Sequence, residues 1–174
     1  EAARRRQAIR IGIPRVLNLY ENFPFWSTLL VESGFRVHLS APSKVGMYEK
    51  GAGTITSENI CFPAKLAHGH IYDLIEAGVD RIFYPMVTYE NPEFADSDGE
   101  YNCPVVGGYP ELIKSSIDPA GKHGIPLDKP AITMRDVGLL KKNCETYLGS
   151  LGVDRKTARR AFDCAIAAQK AFKQ

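Results

Sequence analysis

Four cysteines are the residues best suited to chemistry: Cys61, Cys103, Cys144 and Cys164. None forms a Cys-x-x-Cys pair and no secretory signal precedes them, which is the pattern of free or metal-ligating thiols in a reducing cytoplasm. Cys61 stands in Ser57-Glu58-Asn59-Ile60-Cys61-Phe62-Pro63, just ahead of a predicted helix. Unpaired N–H groups and the positive end of the dipole favour a thiolate there. A thiolate is what a metal, an iron–sulfur cluster or an electrophile requires; the competing reading is a small buried residue. Cys103 has a similar setting, Tyr101-Asn102-Cys103-Pro104, ahead of Tyr109-Pro110, which is read as opening the next helix. Two such loops on one sheet edge would bring ligands together for a cluster. Cys144 and Cys164 fall inside predicted helices among apolar neighbours and are read as packing.

His68 and His70 lie on the helix that follows Cys61, but at a spacing of two they point away from each other. One can line a site; a joint zinc site is not expected. Asp96-Ser97-Asp98-Gly99-Glu100 is partly like a calcium loop, yet it lacks the third ligand position and the later bidentate Glu, so a surface turn is expected. No Gly-x-Gly-x-x-Gly opens a helix after a strand, and no Walker phosphate loop occurs. Neither a Gly-x-Ser-x-Gly elbow nor a His-Glu-x-x-His motif is present. Gly51-Ala52-Gly53 is too short for a dinucleotide site.

These residues need elements to position them. Residues 8–14 read as a strand stopped by Pro14, 21–33 as a helix with Pro24 in its first turn, and 35–39 as a second strand. Strand, helix and strand in so short a span make a βαβ unit with a right-handed crossover. Ser43 is expected to cap a short helix ending near Gly51. A helix over 63–77 with Leu66, His70, Leu74 and Ala77 on one stripe precedes a strand over 80–85. Residues 86–109 break the rhythm: they hold Glu90, Glu93, Asp96, Asp98 and Glu100 with no Lys or Arg, and read as a long excursion above the strand ends. A helix over 109–117, a strand over 131–134 and two helices over 136–149 and 154–172 complete the chain. The expected fold is α/β: an open, mostly parallel Rossmann-like sheet with flanking helices and a C-terminal helical pair.

The 174 residues are 44% apolar and 24% charged, enough to bury a core without metal or disulfide. No apolar run approaches the roughly 18 residues of a membrane span. Net charge is +2, spread as +3 over residues 1–10, +5 over 141–174 and −6 between. An acidic centre argues against a nucleic-acid partner. The basic helix over 154–172 reads as a solvated or docking surface. Both ends look like cuts, so the chain reads as one domain over 8–174 of a larger protein, preceded by a basic extension over 1–7.

Several long strings resemble a known family. They are Ile11-Gly12-Ile13-Pro14-Arg15-Val16-Leu17-Asn18-Leu19-Tyr20-Glu21, Cys61 through His70, Phe83-Tyr84-Pro85, Tyr101-Asn102-Cys103-Pro104 and Tyr109-Pro110-Glu111. Together they are similar to the uncharacterised domain of CoA-substrate-specific enzyme activases, or acyl-CoA dehydratase activase-related proteins, over about residues 8 to 117. The resemblance implies a cytoplasmic protein of anaerobic bacteria in which an actin-like ATPase module precedes this domain. It also implies distant similarity to subunits of 2-hydroxyacyl-CoA dehydratases, which hold a four-iron cluster through cysteines. On that resemblance Cys61 and Cys103 are the expected cluster ligands, and Met86 stands where members often carry a third Cys. Two functions follow as expectations: an iron–sulfur module for dehydratase-type electron transfer, or a cofactor-free docking or regulatory domain. In neither case is the fragment expected to be catalytic alone. Its expected partners are the parent protein's other modules and a dehydratase, with neither nucleic acid nor membrane.

Overall fold

The computed structural model describes residues 2–92 and 100–174. Helix α1 (Ala2–Ala8) leads into strand β1 (Arg10–Ile13), which ends at Pro14. A 3-10 turn over Leu17–Leu19 precedes helix α2 (Phe23–Glu32), with proline tolerated in its first turn. Gly34, at φ 94°, makes the left-handed turn into β2 (Arg36–Leu39). Helix α3 (Val45–Gly51), a second 3-10 turn over Ala52–Thr54 and helix α4 (Phe62–Glu76) follow. Then come β3 (Arg81–Phe83), β4 (Met86–Tyr89), α5 (Pro104–Ser116), the short α6 (Pro119–His123), β5 (Leu127–Asp128) and β6 (Ala131–Thr133). Two helices, α7 (Val137–Ser150) and α8 (Arg155–Phe172), close the fold, each capped by an aspartate, Asp136 and Asp154, that accepts a backbone N–H of its first turn.

Four strands form a parallel sheet in the order β2-β1-β3-β5, and β4 pairs with β6, also in parallel. The two sheets are one ladder with a crease. Pro85 and Pro130 lack the N–H that a continuous ladder needs. Nevertheless, Tyr84 N–H donates to the Asp128 carbonyl at 2.8 Å and Met86 N–H to the Pro130 carbonyl at 2.9 Å, which carries the pairing across the break. Right-handed crossovers then place α2 on one face and α4 with α5 on the other. On the first face, the Phe83 ring lies 5.0 Å from Trp26 of α2 and 5.2 Å from Tyr147 of α7, while Phe25 meets Phe162 of α8. On the second, Gly12 lets Leu74 and Val79 close onto β1; a Cβ at Gly12 would come within 2.9 Å of the Leu74 side chain.

The open α/β architecture with terminal helices is as the sequence predicts, but several details differ. Residues 86–109 are not wholly an excursion. Met86–Tyr89 is a strand, and α5 starts at Pro104 with Val105 and Val106 in its first turn, so Pro110 lies inside that helix. The buried residues of α4 include Ala64, Ala67, Ile71 and Leu74 rather than a stripe through Leu66 and Ala77. Ser43 does not cap α3; its hydroxyl turns to His70. Residues 2–8 form a helix, within which Arg6 donates to the carbonyls of Ser33 and Gly152. The basic side chains of α8 meet acids of this same chain: Arg155 and Arg159 pair with Glu145, and Arg160 with Glu32. Among the described residues, no helix is long and apolar enough to cross a membrane.

Candidate functional site

In a parallel α/β sheet, each crossover helix begins above the carboxyl ends of the strands. That topology puts the first turns of α4 and α5 on the same sheet edge. Cys61 is the N-cap of α4 and Cys103 the N-cap of α5. Both have extended ψ angles, of 147° and 133°, both precede a proline in the first turn, and both thiols are free and exposed. Each stands at the positive end of a helix dipole.

The two helices are tied together about two turns below these caps. His68 of α4 bonds Tyr109 of α5, with Nε2 and the phenol oxygen 3.1 Å apart. The protons can be assigned from the far end of the chain. Thr54 Oγ1 donates to the Gly51 carbonyl, so it accepts from His68 Nδ1–H at 2.9 Å. His68 Nε2 is therefore the acceptor, and Tyr109 donates to it. Burial drives the His68 pKa down to about 4, which keeps the ring in that neutral form. Burial, followed by the charge of Cys61, pushes the Tyr109 phenol up to about 12. Cys61 and Tyr109 thus feel each other across the interface between α4 and α5.

A second network fixes the approach to Cys103. Asn102 N–H donates to the Thr88 carbonyl at the end of β4, and its amide donates to the Val87 carbonyl and to Glu90 Oε1. Glu90 also accepts from the amides of Asn18 and Asn22, in the loop between β1 and α2. One carboxylate thereby gathers three segments onto the carboxyl edge. No motif announced this clamp; its signal was only an acidic residue lacking a nearby cation. Beside it, Thr88, Asn102, Cys103 and Gly107 border a cavity of about 250 Å³. A larger cavity, about 810 Å³, lies along β6 and the start of α7, where Ile132, Thr133, Val137 and Leu139 line it, and neither cysteine borders it.

The other sequence candidates fall elsewhere. His70 points away from His68, with Ser40 Oγ on Nδ1 at 2.8 Å and Ser43 Oγ on Nε2 at 2.9 Å. Cys144 is buried in α7, and burial pushes its thiol up to about 12; Cys164 is half-buried in α8. Met86 opens β4 and is half-buried. Most of Asp96-Ser97-Asp98-Gly99-Glu100 lies outside the described residues. Among the described residues, no three His, Cys, Asp or Glu side chains converge to hold a metal ion. Two thiols are half the set a four-iron cluster takes, so the described part of this chain does not complete one.

A family model described as the CoA enzyme activase uncharacterised domain matches residues 10–174. No curated protein and no solved structure matches the chain.

Proposed function

Because the chain belongs to the CoA enzyme activase uncharacterised domain family, we propose that it is a redox module serving 2-hydroxyacyl-CoA dehydratase-type electron transfer, with Cys61 and Cys103 as two ligands of an iron–sulfur cluster. The observation that carries this reading is the shared placement of the two thiols, each an N-cap, on neighbouring helices at one sheet edge. When bound, such a cluster supplies single-electron transfer. The chain's own residues hold and orient: the two helix entrances present the thiols at one edge, the Glu90 clamp sets the Cys103 loop, and the His68–Tyr109 bond fixes the spacing of α4 and α5. The remaining ligands come from a second chain or another module of the parent protein; an actin-like ATPase module and a dehydratase are the partners that this reading implies.

A second reading is a cofactor-free docking domain, favoured by the lack of a third ligand among the described residues. Anaerobic reconstitution of the full-length parent protein, with its other modules present, by iron and sulfide, followed by metal analysis and electron paramagnetic resonance, separates the two. The redox reading expects bound iron and sulfide in matched amounts, lost in both Cys61→Ser and Cys103→Ser. Bound iron that survives the double substitution, or none bound to folded protein, overturns it; the second outcome leaves the docking reading.

A further inference from the structure

Among the described residues, Arg15 is a partly buried cation without a polar partner from the protein. It follows Pro14 at the carboxyl end of β1, and its backbone N–H donates to Ser40 Oγ at 2.8 Å. The side chain is half-buried, its Nε is fully buried, and among the described residues the guanidinium has neither a hydrogen bond nor an ion pair. Guanidinium has five donors and no low-cost way to lose its proton; the terminal nitrogens of Arg15 reach the surface, but a buried Nε–H without an acceptor is costly. Native structures answer such groups with a partner, a water or a ligand.

Its surroundings narrow the choice. The charge of Arg15 is felt at His70, whose ring is neutral and held on both nitrogens by Ser40 and Ser43. Asp73 also faces His70, but it is engaged by the Ala41 N–H and by Lys50. The Tyr20 hydroxyl, on a half-exposed ring, stands 3.5 Å from Ser43 Oγ. Arg15 and the Tyr20 hydroxyl therefore stand at the two ends of one hydrogen-bonded chain through Ser40, His70 and Ser43. The position is equally telling. From β1 the chain leaves to β2 on one side, while β3 lies on the other, and the crevice above such a reversal is where open α/β sheets bind ligands. The same loop holds Leu17 at φ 48°, a left-handed conformation that strains a residue with a side chain and recurs at functional sites.

We infer that Arg15, with the hydroxyls of Ser43 and Tyr20 further along the same hydrogen-bonded chain, forms a binding site for an oxyanion of a small molecule, phosphate or carboxylate, at the carboxyl end of β1. A planar fork meets two oxygens of either group. This site includes neither Cys61 nor Cys103 and stands independently of the cluster.

Titration calorimetry of the chain in dilute buffer, with pyrophosphate and with malonate as probes, tests the assignment. Saturable binding of at least one probe is expected, at least tenfold weaker in Arg15→Gln and also weakened in Arg15→Lys, which keeps the charge but not the fork. A response to pyrophosphate alone identifies phosphate as the ligand group; a response to malonate alone identifies carboxylate. Thermal unfolding without probe provides the second measurement. Arg15→Gln should melt at or above the temperature of the unsubstituted protein, since it removes a buried N–H that lacks an acceptor. Equal binding by Arg15→Gln, no saturable binding of either probe, or a lower melting temperature for Arg15→Gln in probe-free buffer would each overturn the site.

Discussion

His68 and His70 sit two residues apart on α4, yet each ring is locked between different partners, Thr54 and Tyr109 for one and Ser40 and Ser43 for the other. Burial lowers both pKa values from 6.5 to about 4; Arg15 adds to the shift at His70 and Asp73 opposes it. The folded protein therefore keeps both rings neutral over a range in which the unfolded chain takes up protons. Their contribution to stability is complete above pH 6.5 and declines as pH falls from 6.5 toward 4. The urea midpoint should fall across that window, and His70→Gln, which keeps two hydrogen-bonding ends without the titration, should fall less steeply. A midpoint that stays level through the upper half of the window would show that the rings charge in the folded state. At this scale, the entrance of α5 at Pro104 was missed, its helix being expected from Tyr109-Pro110, while that of α4 behind Cys61 was visible. Glu90 was not, because its partners Asn18, Asn22 and Asn102 carry no charge and come from distant segments.

Helix α3 lies on α4 through two glycines. A Cβ at Gly69 would run into the Met47 carbonyl, and one at Gly51 into the Gly69 backbone. Both obstacles are backbone, so no side-chain rotation relieves them. Gly69→Ala should cost about 1–3 kcal/mol or more, read as a lower urea midpoint with an unchanged slope; an unaltered midpoint would mean that the two helices do not meet this way. Periodicity alone could not have located this contact, since glycine carries no apolar signal. The same limit explains α5. Pro104 and Gly107-Gly108 looked like breakers, but proline suits a first helical turn, and both glycines lie within the helix. Where apolar spacing and a terminal glycine agreed, as for α2, or a proline stopped a short apolar run, as for β1, local sequence was sufficient.

Across the whole molecule, the basic ends come together rather than facing outward separately. Arg6 of α1 reaches the Ser33 carbonyl at the end of α2 and the Gly152 carbonyl ahead of α8, while Arg160 reaches Glu32. Arg6 thus helps to dock α1 through two acceptors far apart in sequence. Arg6→Ala should free residues 2–8 while leaving the sheet intact. Hydrogen exchange should show fast amides in α1 and unchanged protection in β1 and β3. Retained protection in α1 would show that other contacts hold it. The charge arithmetic of the sequence located the basic ends but not their pairing with Glu32 and Glu145, which depends on the packing of α2, α7 and α8.

The contact between α2 and α8 also bears on how the chain is made. Phe25 donates its N–H to Gln169 Oε1 across 144 residues, and its ring packs on Phe162. At ribosomal speeds of about 5–20 residues per second, α2 waits roughly 7–30 s for that cover. During the wait, the apolar side of α2 that α8 will seal is open to every other nascent chain nearby. The interval before Phe162 emerges is the time in which a chaperone has most to protect.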